Sequence, residues 1–256
     1  AVNSREHQLT PWSNDPVRDP AGEAFYIRDE QTGEVWGPTA LPMRRTDATY
    51  TARHGRGYSR FELNAHGLEH ELLQFVPLHD PIKISRLRLR NTSDRPRSLS
   101  VTAYVEWVLG TTRGATAPFI VTTMDAESGA LFAQNAWNPT YKSATAFVDL
   151  AGRQTAWTGD RREFIGRNSG LEAPAGMIAG SGLSGRVGAG LDPCGVLRTA
   201  LEIAPGETAE IVCFLGEAAT ESKARDMVER YRAGDLDTAF QEVADHWADV
   251  LGTIQV

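Results

Sequence analysis

Leu99-Ser100-Val101-Thr102-Ala103-Tyr104-Val105-Glu106-Trp107-Val108-Leu109 puts apolar side chains at every odd position, while the even positions begin with Ser100, Thr102, Tyr104 and Glu106. A period of two is the signature of a β-strand with one face buried. Upstream, Ile82 and Ile84 are apolar at even positions but Leu87 and Leu89 at odd ones. That slip predicts a β-bulge near Ser85-Arg86, because one extra residue re-aims every side chain after it. Turn chemistry recurs on both sides. Asp29-Glu30-Gln31-Thr32-Gly33 separates Phe25–Ile27 from Val35-Trp36, and Asn64-Ala65-His66-Gly67 separates Phe61–Leu63 from Leu68–Phe75. Pro205-Gly206 separates Val196–Ile203 from Ile211–Leu215. Each predicts a hairpin with glycine at positive φ. A dozen or more short strands punctuated in this way predict an all-β fold, a large antiparallel sandwich over residues 1–217.

The period changes in the tail. Ala224, Met227, Val228 and Tyr231 recur at helical spacing, and Gly234 stops that helix. Phe240, Val243, Ala244, Trp247, Val250 and Leu251 form a second stripe. Two amphipathic helices over 218–256 either cover the sandwich or lead to a further domain.

The totals exclude several classes. A net charge of -7 with no basic cluster excludes phosphate-backbone recognition, so no nucleic-acid partner is expected. No apolar run reaches the ~18 residues needed to cross a bilayer, so no direct membrane insertion is expected. Two cysteines, Cys194 and Cys213, are too few for a disulfide scaffold and read as reduced core residues.

Motif matches are weak. Gly180-Ser181-Gly182-Leu183-Ser184-Gly185 fits a dinucleotide loop in spacing, but Arg186-Val187-Gly188-Ala189-Gly190 after it is too glycine-rich to open a helix. His66 and His70 lie four apart beside Glu69 and Glu71, a spacing that joins ligands on a helix and not on a turn followed by a strand. Asn91-Thr92-Ser93 reads as a turn. Asp160 with Glu163, and Glu106 with Asp125, are carboxylate pairs in principle; solvated surface positions are the plainer reading. No cofactor or metal is implied.

Three stretches combine an aromatic or flexible backbone with polar forks: Leu9–Pro16, Arg53–Arg60 and Trp157–Asn168. Sugars offer C–H faces that stack on aromatic rings and hydroxyls that pair with Asp, Asn and Arg. With Gly22–Asp29, Ser100–Gly110, Leu183–Arg186 and Asp192–Cys194, these stretches form a collinear set from about Leu9 to Val256. The set resembles the inverting disaccharide phosphorylases of the cellobiose and chitobiose phosphorylase kind, and most of all the phosphorylase-like C-terminal region of cyclic β-1,2-glucan synthases.

The resemblance implies a galactose mutarotase-like super-sandwich, a helical linker, and then a catalytic α/α barrel carrying the acid and most of the phosphate site. The chain resembles the sandwich and the start of the linker alone, so no catalytic residue is expected in it. It implies carbohydrate contacts at Trp12, Asn14, Asp15, Arg161, Glu163 and Arg167, to which the stacking argument adds Trp157. The expected partners are a glucan or oligosaccharide, the barrel of the same polypeptide and a second copy in a homodimer. The expected setting is the cytoplasmic part of an inner-membrane parent. Two rivals stand beside this reading. One is a purely structural scaffold, which an exposed face at Trp247 and Val250 would favour. The other is a mutarotase-like enzyme, which needs His54 or His70 against a carboxylate.

Overall fold

A computed structural model describes residues 2–13, 17, 21–178 and 181–253. Its strands, in chain order, open with β1 (Asn3–Ser4), β2 (His7–Gln8), β3 (Glu23–Asp29), β4 (Val35–Trp36) and β5 (Tyr50–Gly55). They continue with β6 (Tyr58–Ala65), β7 (Leu68–Phe75), β8 (Ile82–Asn91), β9 (Arg97–Glu106) and β10 (Ile120–Met124). The last five are β11 (Leu131–Asn135), β12 (Thr145–Asp149), β13 (Ala156–Asp160), β14 (Pro193–Ile203) and β15 (Thr208–Ala218). Helices α1 (Arg113–Thr116) and α2 (Arg161–Ile165) are short; α3 (Glu221–Ala233) and α4 (Leu236–Gly252) close the chain.

An eight-stranded sheet runs β10-β11-β12-β15-β8-β7-β6-β5, and a five-stranded sheet runs β13-β14-β9-β3-β4. Every pairing is antiparallel. The odd-numbered stripe from Leu99 to Leu109 lies in the core between the sheets, against Leu72, Leu87, Leu89, Leu197 and Ile211. This is the expected sandwich.

Three local expectations are corrected. First, β8 has no bulge: its pairing with β7 and with β15 runs without a register break. The slip arises because β8 is covered on both faces, each over a different part of its length. Leu87 and Leu89 face the inter-sheet core, while Ile82 and Ile84 point outward under the C-terminal helices. Second, Pro205-Gly206 is not a hairpin turn. Gly206 does take φ 79°, but β14 pairs with β9 and β15 with β8, so the turn carries the chain from one sheet to the other. Third, the even face of β9 is buried. Tyr104 packs with Tyr26, Phe164 and Met177 under α2 and a 3₁₀ turn at Ala175–Met177, and covering a ring such as Phe164 contributes about 2–3 kcal/mol. The other two turns form hairpins as expected, with Gly33 and Gly67 at positive φ.

The tail helices cover the sandwich. Ala224, Met227 and Val228 are buried on Ile82, Ile84 and Phe214, and Phe240 meets Tyr58 and Phe75. Thr220 caps α3 by accepting from the Lys223 N–H, and Asp235 caps α4 by accepting from Asp237 and Thr238. Arg225 and Arg232 strap α3 to the buried carboxylates of Asp125 and Asp149, each at 2.6 Å. In the last turns of α4 Trp247 packs on Gly57 of the turn between β5 and β6, while Trp247, Val250 and Leu251 stay about 40% exposed.

Candidate carbohydrate-contact site

The strand polarity sorts the loops to two ends. At one end β9 finishes at Glu106, β14 starts at Pro193, β13 finishes at Asp160 and β3 starts at Glu23. The eight-stranded sheet brings Ile82 and Ala218 there, and a Lys83–Glu23 ion pair ties the two sheets. We call this the Glu106 end. The opposite, Asn91 end holds the Asn64–Gly67 turn and the Pro205-Gly206 crossover.

An ion network braces the Glu106 end. Arg161 Nε meets Glu106 at 3.0 Å and Arg113 Nε meets its other oxygen at 2.8 Å. Arg113 also pairs with Asp192, whose backbone carbonyl accepts from the Arg161 N–H at 2.7 Å. Tyr104 donates its hydroxyl to Glu106 at 2.6 Å, and burial lifts that phenol well above its ordinary pKa, so it stays a donor. Glu106 is therefore held by three partners and is not a solvated position.

Trp12 lies beside this brace. Pro11 packs on Gly22, where an added Cβ would fall 2.6 Å from the proline ring. The Gly22 carbonyl in turn accepts from the Glu106 N–H. The Trp12 ring itself is 59% exposed. Asn14 and Asp15 lie outside the described residues. Arg167 is exposed in the loop after α2.

The structure uses two of the expected contacts internally. Trp157 donates its indole N–H to the Gly185 carbonyl at 3.2 Å and packs on the inter-sheet core. Glu163 accepts from the Thr158 hydroxyl and from Ser184, pinning the Leu183–Arg186 loop to α2. Burial alone would raise the Glu163 carboxyl, but those bonds outweigh it and hold the pKa below the usual range.

The carboxylates of both candidate pairs are taken up by other partners. Asp160 caps α2 and faces Arg186. Asp125 lies on Arg225, whose bonds hold its carboxyl far below the ordinary value. A general acid needs the opposite shift. His70 is a satisfied core histidine: Trp36 donates to its Nε2 and its Nδ1 bonds to the Leu63 carbonyl. His54 bonds Ser59 on an exposed strand. Neither meets a carboxylate, and among the described residues no cluster of His, Cys, Asp and Glu is arranged for a metal.

Residues missed by the sequence reading include Arg113 and Asp192, 79 positions apart with no local signal. They also include Trp137, an exposed ring in Asn135-Ala136-Trp137-Asn138-Pro139 that the same aromatic-plus-turn criterion could have found.

The family model for the glycosyl hydrolase 94 supersandwich domain matches residues 1–234. The chain belongs to that family. Cyclic beta-(1,2)-glucan synthase NdvB from Rhizobium meliloti strain 1021 is 38% identical over 254 residues, 99% of this chain but 9% of that protein. Solabiose phosphorylase from Paenibacillus borealis is 30% identical over 82% of this chain and 28% of its own length. N,N'-diacetylchitobiose phosphorylase from Vibrio furnissii is 23% identical over 98% of this chain and 32% of its own. A bacterial glucoamylase complexed with acarbose shares the fold, with a TM-score of 0.57 over 91% of this chain and 32% of that one, at 9% identity. The glycosyl hydrolase 94 supersandwich thus spans at most about a third of each of these relatives. It is the sandwich part and not a catalytic barrel. No helix among the described residues is long and apolar enough to cross a membrane.

Proposed function

We propose that this supersandwich is a non-catalytic module that positions a glucan chain for a catalytic domain elsewhere in its parent polypeptide. The observation that carries the reading is the pairing of a 59% exposed Trp12 with a rigid ion network at one end of the sandwich. A fixed aromatic platform stacks sugar rings at low entropic cost, because nothing beneath it has to be ordered on binding. The similarity to a cyclic glucan synthase and to disaccharide phosphorylases supports a β-linked glucan as the occupant. In such a parent the module belongs to the cytoplasmic part of an inner-membrane protein, with 218–256 leading toward the catalytic domain.

Calorimetric titration of the chain with linear and cyclic β-1,2-glucans and with cellobiose tests this. Saturable binding, weakened at least about tenfold by Trp12→Ala, is the expected outcome. Absence of binding at millimolar sugar contradicts it.

The apolar stripe of Trp247, Val250 and Leu251 supports a second reading, a scaffold that docks the catalytic domain or a second copy. Trp247→Ser with Leu251→Ser would then change the sedimentation of the chain, or its association with that domain, without changing sugar titration.

A further inference from the structure

A second surface at the Glu106 end has its own aromatic platform. Trp137, in the loop after β11, is 75% exposed, and Phe119, at the end of the turn after α1, lies beside it with ring centroids 5.2 Å apart. The two rings form one wall of a cleft of about 450 Å³. Its polar lining includes Thr116, Asn138, Thr140 and, deepest, His7.

The floor is unusual. His7 is 3% exposed, and its Nδ1 is held by the buried carboxylate of Glu217 from the end of β15. Tyr141 stacks on the imidazole at 4.2 Å with the planes 7° apart. The other ring nitrogen, Nε2, is buried and finds no hydrogen-bond partner among the described residues. Whichever ring nitrogen carries the proton, Nε2 is left as a buried polar atom with no protein partner among the described residues. Such an atom is costly, so it points to a hydroxyl, which can donate or accept, direct or through one water, as part of the site. Asn135 and Asn138 hold the loop: both side-chain amides donate to the Leu109 carbonyl, and Asn138 Oδ1 accepts from the Thr140 and Tyr141 N–H groups. Trp137 is therefore presented on a backbone fixed at both sides.

We infer that this cleft is a second carbohydrate subsite, taking a neutral hexopyranose unit that stacks on Trp137 and Phe119 and pairs a hydroxyl with His7. Neutrality follows from the lining, whose described residues include no Lys or Arg to meet an acidic sugar and a single carboxylate, Glu6, at the rim. The inference rests on reading the module as sugar-contacting, and it adds a place for a further residue of the same chain.

The test is an NMR titration of the chain with a linear β-1,2-linked gluco-oligosaccharide, following the Trp12 and Trp137 indole N–H signals in wild type, Trp12→Ala and Trp137→Ala. The expected result is a saturable shift of Trp137 that persists in Trp12→Ala, with overall affinity lowered at least about tenfold in Trp137→Ala. A shift at Trp12 with none at Trp137, and unchanged affinity in Trp137→Ala, overturns the subsite while leaving the Trp12 reading intact. Silence at both overturns both. His7→Phe combined with Glu217→Met separates contact from folding: it keeps the stack with Tyr141, leaves no unpaired buried carboxylate and removes Nε2, and it should weaken binding with the Trp137 signal still in its native position.

Discussion

The two ends of the sandwich are built from similar residue types and use them in opposite ways. At the Asn91 end, polar and aromatic groups face inward and pair with one another, Arg97 Nε excepted. Asp29 and Arg97 pair at 2.6 Å, both almost fully buried, and Arg97 also reaches the His66 carbonyl. Trp36 is buried with its indole N–H on His70 and its face on His66, 4.0 Å away. At the Glu106 end the charges also pair and Trp107 is buried, but Trp12 and Trp137 stand in solvent. The chemistry of one end is consumed by folding; that of the other is braced and left open. The presence of Trp, His and Arg therefore says little about a site until their partners are known.

Breaking the Asn91 end should affect stability alone. Arg97→Met takes the closer, buried cation from Asp29 and leaves it Arg95 at 3.6 Å and the Gln31 and Thr32 N–H groups. Breaking the buried pair costs up to about 3–5 kcal/mol, measurable by chemical denaturation, and should leave glucan titration unchanged in the protein that remains folded. His70 supplies a pH test of the same end. Burial, the largest effect on it, together with the nearby His66 and Arg97 holds its pKa at about 4 against an ordinary 6.5, and the ring that accepts from Trp36 is the neutral one. Between those values the unfolded chain binds a proton that the folded chain excludes. Stability present above pH 6.5 is then lost as the pH falls toward 4, by up to about 3 kcal/mol. His70→Gln should flatten that part of the profile.

Changes at the Glu106 end should show the reverse. Arg161→Met removes one strut from a half-exposed network and is expected to cost about 1 kcal/mol of stability, while loosening the platform enough to weaken sugar binding several-fold. Trp12→Ala should cost under about 0.5 kcal/mol, as exposed substitutions do, yet have the larger effect on binding. Were Arg161→Met to destabilise as much as Arg97→Met, the two ends would not differ as described.

The same contrast explains what was legible in the sequence. The strand period of Leu99–Leu109, the Gly33 and Gly67 turns and the helical stripes from Ala224 onward are local patterns, and each reappears in the fold. What covers a strand is not local. Ser85-Arg86 looks like a phase error until α3 and α4 are seen over Ile82 and Ile84, and Tyr104 looks solvent-facing until Phe164 lies on it. The candidate site follows the same rule. Trp12 could be picked out from its neighbours in the chain. Trp157 could also be picked out, but not that its indole N–H is taken up by the Gly185 carbonyl. The Glu106–Arg113–Arg161–Asp192 network joins four separate segments, and no spacing rule predicts it.

The central claim, that sugar is met at the Glu106 end, is tested most directly by amide hydrogen exchange of the chain with and without saturating linear β-1,2-glucan. The account predicts slowed exchange in peptides spanning 9–13, 106–113 and 136–141, and no change across 28–36 and 64–70. Protection confined to the Asn91 end or to 243–251, or none at all at millimolar sugar, would contradict it.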